Sequence, residues 1–118
     1  MGYPHYTTEC HERWKAVTVC GSMRFFPQML EVAADLTDQG HIVLMPFRVV
    51  APGEQASSAK EQLDRLHRRK IDLCDSIVVV SDETGYIGDS TRGEIEYARS
   101  NRKEIAYRHV LGQEADHA

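Results

Sequence analysis

Ser76-Ile77-Val78-Val79-Val80-Ser81-Asp82 runs into Glu83-Thr84-Gly85-Tyr86-Ile87-Gly88-Asp89-Ser90-Thr91-Arg92-Gly93-Glu94-Ile95-Glu96-Tyr97-Ala98. This join decides the fold. Its first part holds the most apolar run of the chain, residues 77–80, with the β-branched content of a buried parallel strand. Gly85, Gly88 and Gly93 then loosen the backbone, and Asp89, Ser90 and Thr91 are three consecutive N-cap candidates. A helix is expected from there, carrying Glu94, Ile95 and Ala98 in its first two turns. Strand, glycine-containing loop and helix N-terminus together make a place for an anion, with a carboxylate one turn in.

Working outward, residues 16–20 form a short apolar strand closed by Gly21 and Ser22. Phe25, Met29, Val32, Ala33 and Leu36 recur at helical spacing, so residues 25–39 are predicted as an amphipathic helix stopped by Gly40. Residues 42–45 give a second strand ended by Pro46, and Pro52-Gly53 marks a turn in the loop that follows. Ala59, Leu63, Leu66 and Ile71 mark a helix over about 58–73, and residues 104–107 a last strand. An irregular lead over 1–14 and a loose tail over 109–118 flank one domain over 15–108.

Strand–helix alternation of this kind predicts an α/β fold, a flavodoxin- or Rossmann-like three-layer sandwich around a parallel sheet of four to five strands. Right-handed crossovers make 2-1-3-4 the simplest strand order. Ligands in such sheets bind beyond the carboxyl ends of the strands, where the order reverses. Here that point lies between the first and third strands. Residues 21–24, 46–48 and 81–94 converge on it.

A chain of 118 residues makes one domain with a real core. Its 42% hydrophobic and 27% charged content is that of a folded protein without membrane spans. A net charge of -4 speaks against a nucleic-acid polymer as partner. Arg65, Arg68, Arg69 and Lys70 read as the solvated face of the second predicted helix. Cys10, Cys20 and Cys74 are too few and scattered for a disulfide framework or a zinc knuckle, and the latter two read as small core residues. His5, Cys10 and His11 lack a fourth ligand, so no metal is expected. No signal peptide or membrane span is evident, which makes a reduced, cytoplasmic setting the default.

Val19-Cys20-Gly21-Ser22-Met23-Arg24 after the first strand, and Gly93-Glu94-Ile95-Glu96-Tyr97-Ala98 in the third helix, resemble the nucleoside 2-deoxyribosyltransferase superfamily. That superfamily includes 2-deoxynucleoside 5-monophosphate N-glycosidases. Leu66-His67-Arg68-Arg69-Lys70-Ile71-Asp72 and Gly85-Tyr86-Ile87-Gly88-Asp89-Ser90-Thr91 are similar to a compact bacterial subgroup of it. The resemblance covers roughly residues 15–107. It implies an enzyme that cleaves the N-glycosidic bond of a nucleotide or nucleoside, without a cofactor, and releases or transfers the base.

By the same resemblance, Glu94 attacks or stabilises the anomeric carbon of the sugar. A second acid is expected near the end of the preceding helix, where Asp72 and Asp75 are candidates and His67 falls close to the position used by some relatives. Gly21 and Ser22 would lie against the substrate. Gly88, Ser90 and Thr91, with Arg24 nearby, would receive a 5′-phosphate. A homodimer or larger homo-oligomer is implied as well, with residues 58–73, the third helix and Tyr97 at its interface.

The chemistry suits these residue types. Oxocarbenium character on the sugar is stabilised or captured by a carboxylate, and the departing base needs a proton. Plainer roles stay open for the same residues. Thr91 and Glu94 fit a capping box, His67 fits a surface histidine, and Asp72 fits a charged helix end. Asp82, at the third strand's end, is either a sugar-hydroxyl acceptor or a loop-solvating acid. A non-catalytic nucleotide sensor would use the same pocket.

Overall fold

The computed structural model describes residues 14–48, 53 and 58–110. Along them run β1 (Ala16–Gly21), α1 (Phe26–Asp38), β2 (Ile42–Leu44), α2 (Ser58–Asp72), β3 (Ser76–Asp82), α3 (Asp89–Ser100) and β4 (Glu104–Val110), with a 3₁₀ turn at Met23–Phe25 leading into α1. The strands form one four-stranded sheet in the order β2-β1-β3-β4, every pairing parallel. The α/β class and the order 2-1-3-4 are those expected from the sequence.

The period-two alternation of β1 and β3 divides the core between the two sheet faces. Val17, Val19 and Val80 point to one face and bury against Met29, Val32 and Leu36 of α1. Cys20, Ile77 and Val79 point to the other, under Ile71 of α2 and Ile95 and Ala98 of α3. Three layers result. Asp75 fixes the register at the start of the sheet: its Oδ2 accepts from Ala16 N at 3.1 Å, and its own N–H donates to Ala16 O at 2.9 Å. At the far end of the same pairing Gly21 lies opposite Val80.

Two expectations change at this level. The final strand continues past residue 108 to Val110, so the loose tail does not begin where it was placed; residues 111–118, like the lead up to 13, lie outside the described residues. Of the apolar residues Ala59, Leu63, Leu66 and Ile71 expected to face inward from α2, Ala59 and Leu66 are exposed, Leu63 is half-buried and Ile71 is buried. His67, outside that apolar set, is buried as well. Lys60, Asp64, His67 and Ile71 follow the helical i, i+4, i+7, i+11 spacing, and only the last of them has reached the core. The first half of α2 overhangs the end of the sheet, where polar groups replace the apolar stripe. Among the described residues no helix is long and apolar enough to cross a membrane.

Candidate functional site

A cleft of about 330 Å³ opens beyond the carboxyl ends of β1 and β3, at the reversal of strand order. Gly21, Ser22 and Arg24 line it from the loop after β1, and Pro46 and Arg48 from the segment after β2. Lys60, Asp64 and His67 come from α2; Gly88, Ser90, Thr91 and Glu94 come from the start of α3. The ribbon topology alone fixes this convergence.

At the inner end, three elements each contribute one polar side chain, two of them buried and that of Glu94 partly so. Cys20 is the penultimate residue of β1, His67 sits two turns into α2, and Glu94 lies in the second turn of α3. His67 Nε2 is 3.5 Å from Cys20 Sγ and 3.6 Å from Glu94 Oε1. The imidazole is almost wholly buried, and its Nδ1 has no hydrogen-bond partner among the described residues. All of its polar engagement there is therefore through Nε2.

Burial keeps all three groups uncharged at neutral pH. Desolvation, aided by the Asp64 charge, raises the Glu94 carboxyl to about 8. Desolvation, then the Lys70 charge, lowers His67 to about 4. Burial, then the proximity of Glu94, pushes the Cys20 thiol well above its ordinary value. The Glu94–His67 contact has the spacing of an ion pair, yet at pH 7 it joins a protonated carboxyl to a neutral imidazole. The Cys20 thiol is accordingly no ready nucleophile.

The helix start differs from the one expected. Asp89, Ser90 and Thr91 pass over the N-cap role, which falls to Gly88 in extended backbone, and no side chain among the described residues caps the helix. Arg92 N donates to Gly88 O at 2.9 Å, the first bond of the helix. Thr91 is thus a buried third residue inside α3, and the capping box with Glu94 does not form. That leaves the Glu94 side chain to the cleft.

Around the amide end of α3, Lys60 and Asp64, which the sequence did not single out, join the groups that it did. Lys60 Nζ donates to Ser90 Oγ at 3.0 Å and pairs with Asp64 at 2.8 Å. Asp89, which would oppose an anion there, has a fully exposed carboxylate 3.3 Å from Arg92 Nη1. Arg24 stacks its guanidinium over Tyr86 at 4.1 Å from the ring centroid, at the cleft wall. Ser22 caps the 3₁₀ turn, its Oγ accepting from Arg24 N at 3.4 Å.

Of the residues singled out from the sequence, Gly21, Ser22, Arg24, His67, Gly88, Ser90, Thr91 and Glu94 meet at the cleft. Two do not. Asp72 lies on the outside of α2, where it accepts from the Tyr97 hydroxyl at 2.5 Å and pairs with Arg69 at 2.9 Å. Asp82 folds onto its own turn, accepting from the amide and hydroxyl of Thr84 and from Tyr86 N. These bonds, led by the Thr84 hydroxyl, hold its carboxyl below the usual value. Tyr97, expected to anchor an interface, spends its hydroxyl on Asp72 and Arg69.

Cys20, Lys60 and Asp64 join the site, and Arg48 comes with the segment 46–48 expected there. Counting alternate residues from Thr18 signals Cys20, and the i, i+4, i+7 spacing from Lys60 through Asp64 to His67 signals the α2 residues. Cys20, His67 and Glu94 also place one ligand atom each within 4.8 Å of one another, the set best suited to a metal ion among the described residues. No protein-family model matches the chain, and no curated protein matches it.

Proposed function

We propose that this protein cleaves the N-glycosidic bond of a nucleoside 5′-monophosphate, or of the nucleoside, with Glu94 bonding to or stabilising the anomeric carbon and the base released to water or passed to an acceptor. The observation that carries this is the position of Glu94. Its carboxyl lies inside the switch-point cleft, 3.6 Å from His67 Nε2, and is not engaged in capping its helix. The resemblance of the β1 and α3 motifs to the nucleoside 2-deoxyribosyltransferase superfamily points the same way.

The proton balance suits a carboxyl that holds its proton. As a Glu94 oxygen bonds to C1′, the C1′–N bond breaks and its electron pair leaves with the base. The proton that Glu94 carried, passed through His67, completes the departing base. Water then opens the glycosyl ester, giving its hydroxyl to the sugar and a proton back to the carboxyl. Asp64, one turn before His67 on α2, acts on Glu94 through its charge and takes the role that the resemblance gave to Asp72.

The test is incubation with a panel of nucleosides and their monophosphates, followed by chromatography for free base. Release of base from at least one of them is expected. Tight binding of a nucleotide with no base released in any case would mark the protein as a sensor and end the glycosidase assignment.

A 5′-phosphate fits the amide end of α3, where Ser90, Lys60 and the helix dipole favour an anion. The monophosphate is expected to be used at least tenfold better than its nucleoside, about 1.4 kcal/mol. Lys60→Ala and Ser90→Ala should each shrink that ratio while sparing nucleoside turnover. Equal use of both ligands would mean that these groups read something other than phosphate.

A homodimer is part of the same proposal. Leu66 and Leu73 stand 52% and 73% exposed on or just beyond α2, an apolar edge that a second copy of the chain would cover. Light scattering at micromolar concentration should return twice the chain mass, and Leu66→Lys should halve it. A monomeric mass for the parent chain rejects the dimer.

A further inference from the structure

We propose that Cys20, His67 and Glu94 form a binding site for a thiophilic divalent cation of the zinc class, and that an ion there silences the cleft. Zinc bonds of about 2.3 Å to sulfur and about 2.0 Å to nitrogen or oxygen set the edges of a tetrahedral ligand set at about 3.3–3.6 Å. The edges here are 3.5 Å from Cys20 Sγ to His67 Nε2 and 3.6 Å from His67 Nε2 to Glu94 Oε1. Two of the three edges thus already stand at coordination spacing, and all three ligand atoms lie within 4.8 Å of one another.

The donor set is selective. A thiolate and an imidazole favour zinc, cobalt or copper over magnesium or calcium, which take oxygen ligands. Cys20 binds as thiolate, its proton leaving to solvent. With the Glu94 carboxylate and neutral His67, two ligand charges cancel the two of the cation, the net charge that a buried site tolerates. Three protein ligands leave the fourth tetrahedral position toward the cleft, open to water or ligand. The three ligands come from β1, α2 and α3, far apart in sequence, which is why a search for local Cys and His spacing expects no metal.

The inhibitory consequence rests on the glycosidase assignment above. A Glu94 oxygen held by a cation cannot bond to C1′, so metal binding and base release exclude one another. The ion-binding half stands without it.

Chelator-treated protein titrated with Co²⁺ should take up one ion per chain and develop thiolate-to-cobalt charge-transfer absorption, which Zn²⁺ then bleaches by displacement. Cys20→Ser should abolish the charge-transfer band, and Glu94→Gln should weaken Co²⁺ binding at least about tenfold. Cys74→Ser should change neither, since the Cys74 thiol donates to Ile71 O and is not one of the three ligands. Should Cys20→Ser fail to fold, Glu94→Gln and the spectrum of the parent protein decide. No charge-transfer band, or a band that survives Cys20→Ser, overturns the site. Base release measured in chelator and in Zn²⁺ separates the two proposals. Protein that releases base and takes up no cobalt loses the metal site alone. Protein that takes up cobalt and never releases base loses the glycosidase role alone.

Discussion

Glu94→Gln is expected to lower base release by about three orders of magnitude or more, ~4 kcal/mol of transition-state stabilisation, while making the metal-free fold more stable at neutral pH. The stability gain follows from burial. The folded protein keeps the Glu94 proton up to about pH 8, whereas an ordinary glutamate gives it up near 4.5. The favourable contribution is therefore full below pH 4.5 and is lost progressively as pH rises to about 8. At pH 7 the parent protein has lost roughly 3 kcal/mol that an uncharged Gln does not lose. His67 works in the opposite sense: its neutral form is preferred, so its contribution is full above 6.5 and lost as pH falls through about 4.

Denaturant melts of both proteins in chelator, from pH 4 to 9, should diverge above pH 5 and coincide at pH 4. Base release by the parent protein should fall as pH climbs past about 8, where the carboxyl no longer holds the proton owed to the base. Curves that never diverge would show that Glu94 is not buried as described. Base release unchanged in the variant would remove Glu94 from the chemistry.

Gly21→Ala is expected to cost roughly 2–3 kcal/mol of stability and to take base release with it. A Cβ built on Gly21 would stand 2.9 Å from the Val80 carbonyl oxygen and 3.4 Å from Met29 Sδ. The first of these neighbours is backbone of the paired strand, opposite Gly21 in the register, and cannot swing aside. The φ of +157° is also one that side chains rarely adopt. β1 and β3 would have to part at their carboxyl ends, carrying Ser22 and Arg24 off the cleft wall. Gly93→Ala makes the contrast. It meets nothing within 4 Å and lies inside α3, so it should leave the fold unchanged or firmer by roughly 0.5–1 kcal/mol. A Gly21→Ala protein that melts with the parent would show that the two strands have more room than the geometry gives them.

The sheet was legible because its signals are local and redundant. Ile77 through Val80 read as a buried strand from composition, and the α1 stripe from Phe25 to Leu36 read as a helix from spacing. Once alternation fixed the strand order, the place of the cleft followed, and with it Gly21, Ser22, Gly88 and Glu94. What escaped was the facing of α2. Where that helix overhangs the cleft its inward residues are Lys60, Leu63, Asp64 and His67, so an apolar count finds Leu63 alone there and wrongly extends the face to Ala59 and Leu66. Asp64 was passed over for Asp72 on the same account. Asp82 carried its own signal, a Thr two residues on, which marks an Asx turn rather than a ligand. Three N-cap candidates in a row hid the true start of α3. Asp89 gains from the dipole as first residue of the helix, and Gly88 adopts the cap conformation without strain.

The uncapped beginning of α3 has a thermodynamic consequence. Its first amides have no side chain among the described residues to satisfy them, so an anion that settles there takes the part of a capping residue and belongs to the folded state alone. Occupancy then reports itself as resistance to melting, by about 2.7 kcal/mol at a hundredfold excess over the dissociation constant. Compounds can be ranked by how far they shift the unfolding temperature, with no need to know what reaction follows, and amide exchange in that first turn would slow in the same order.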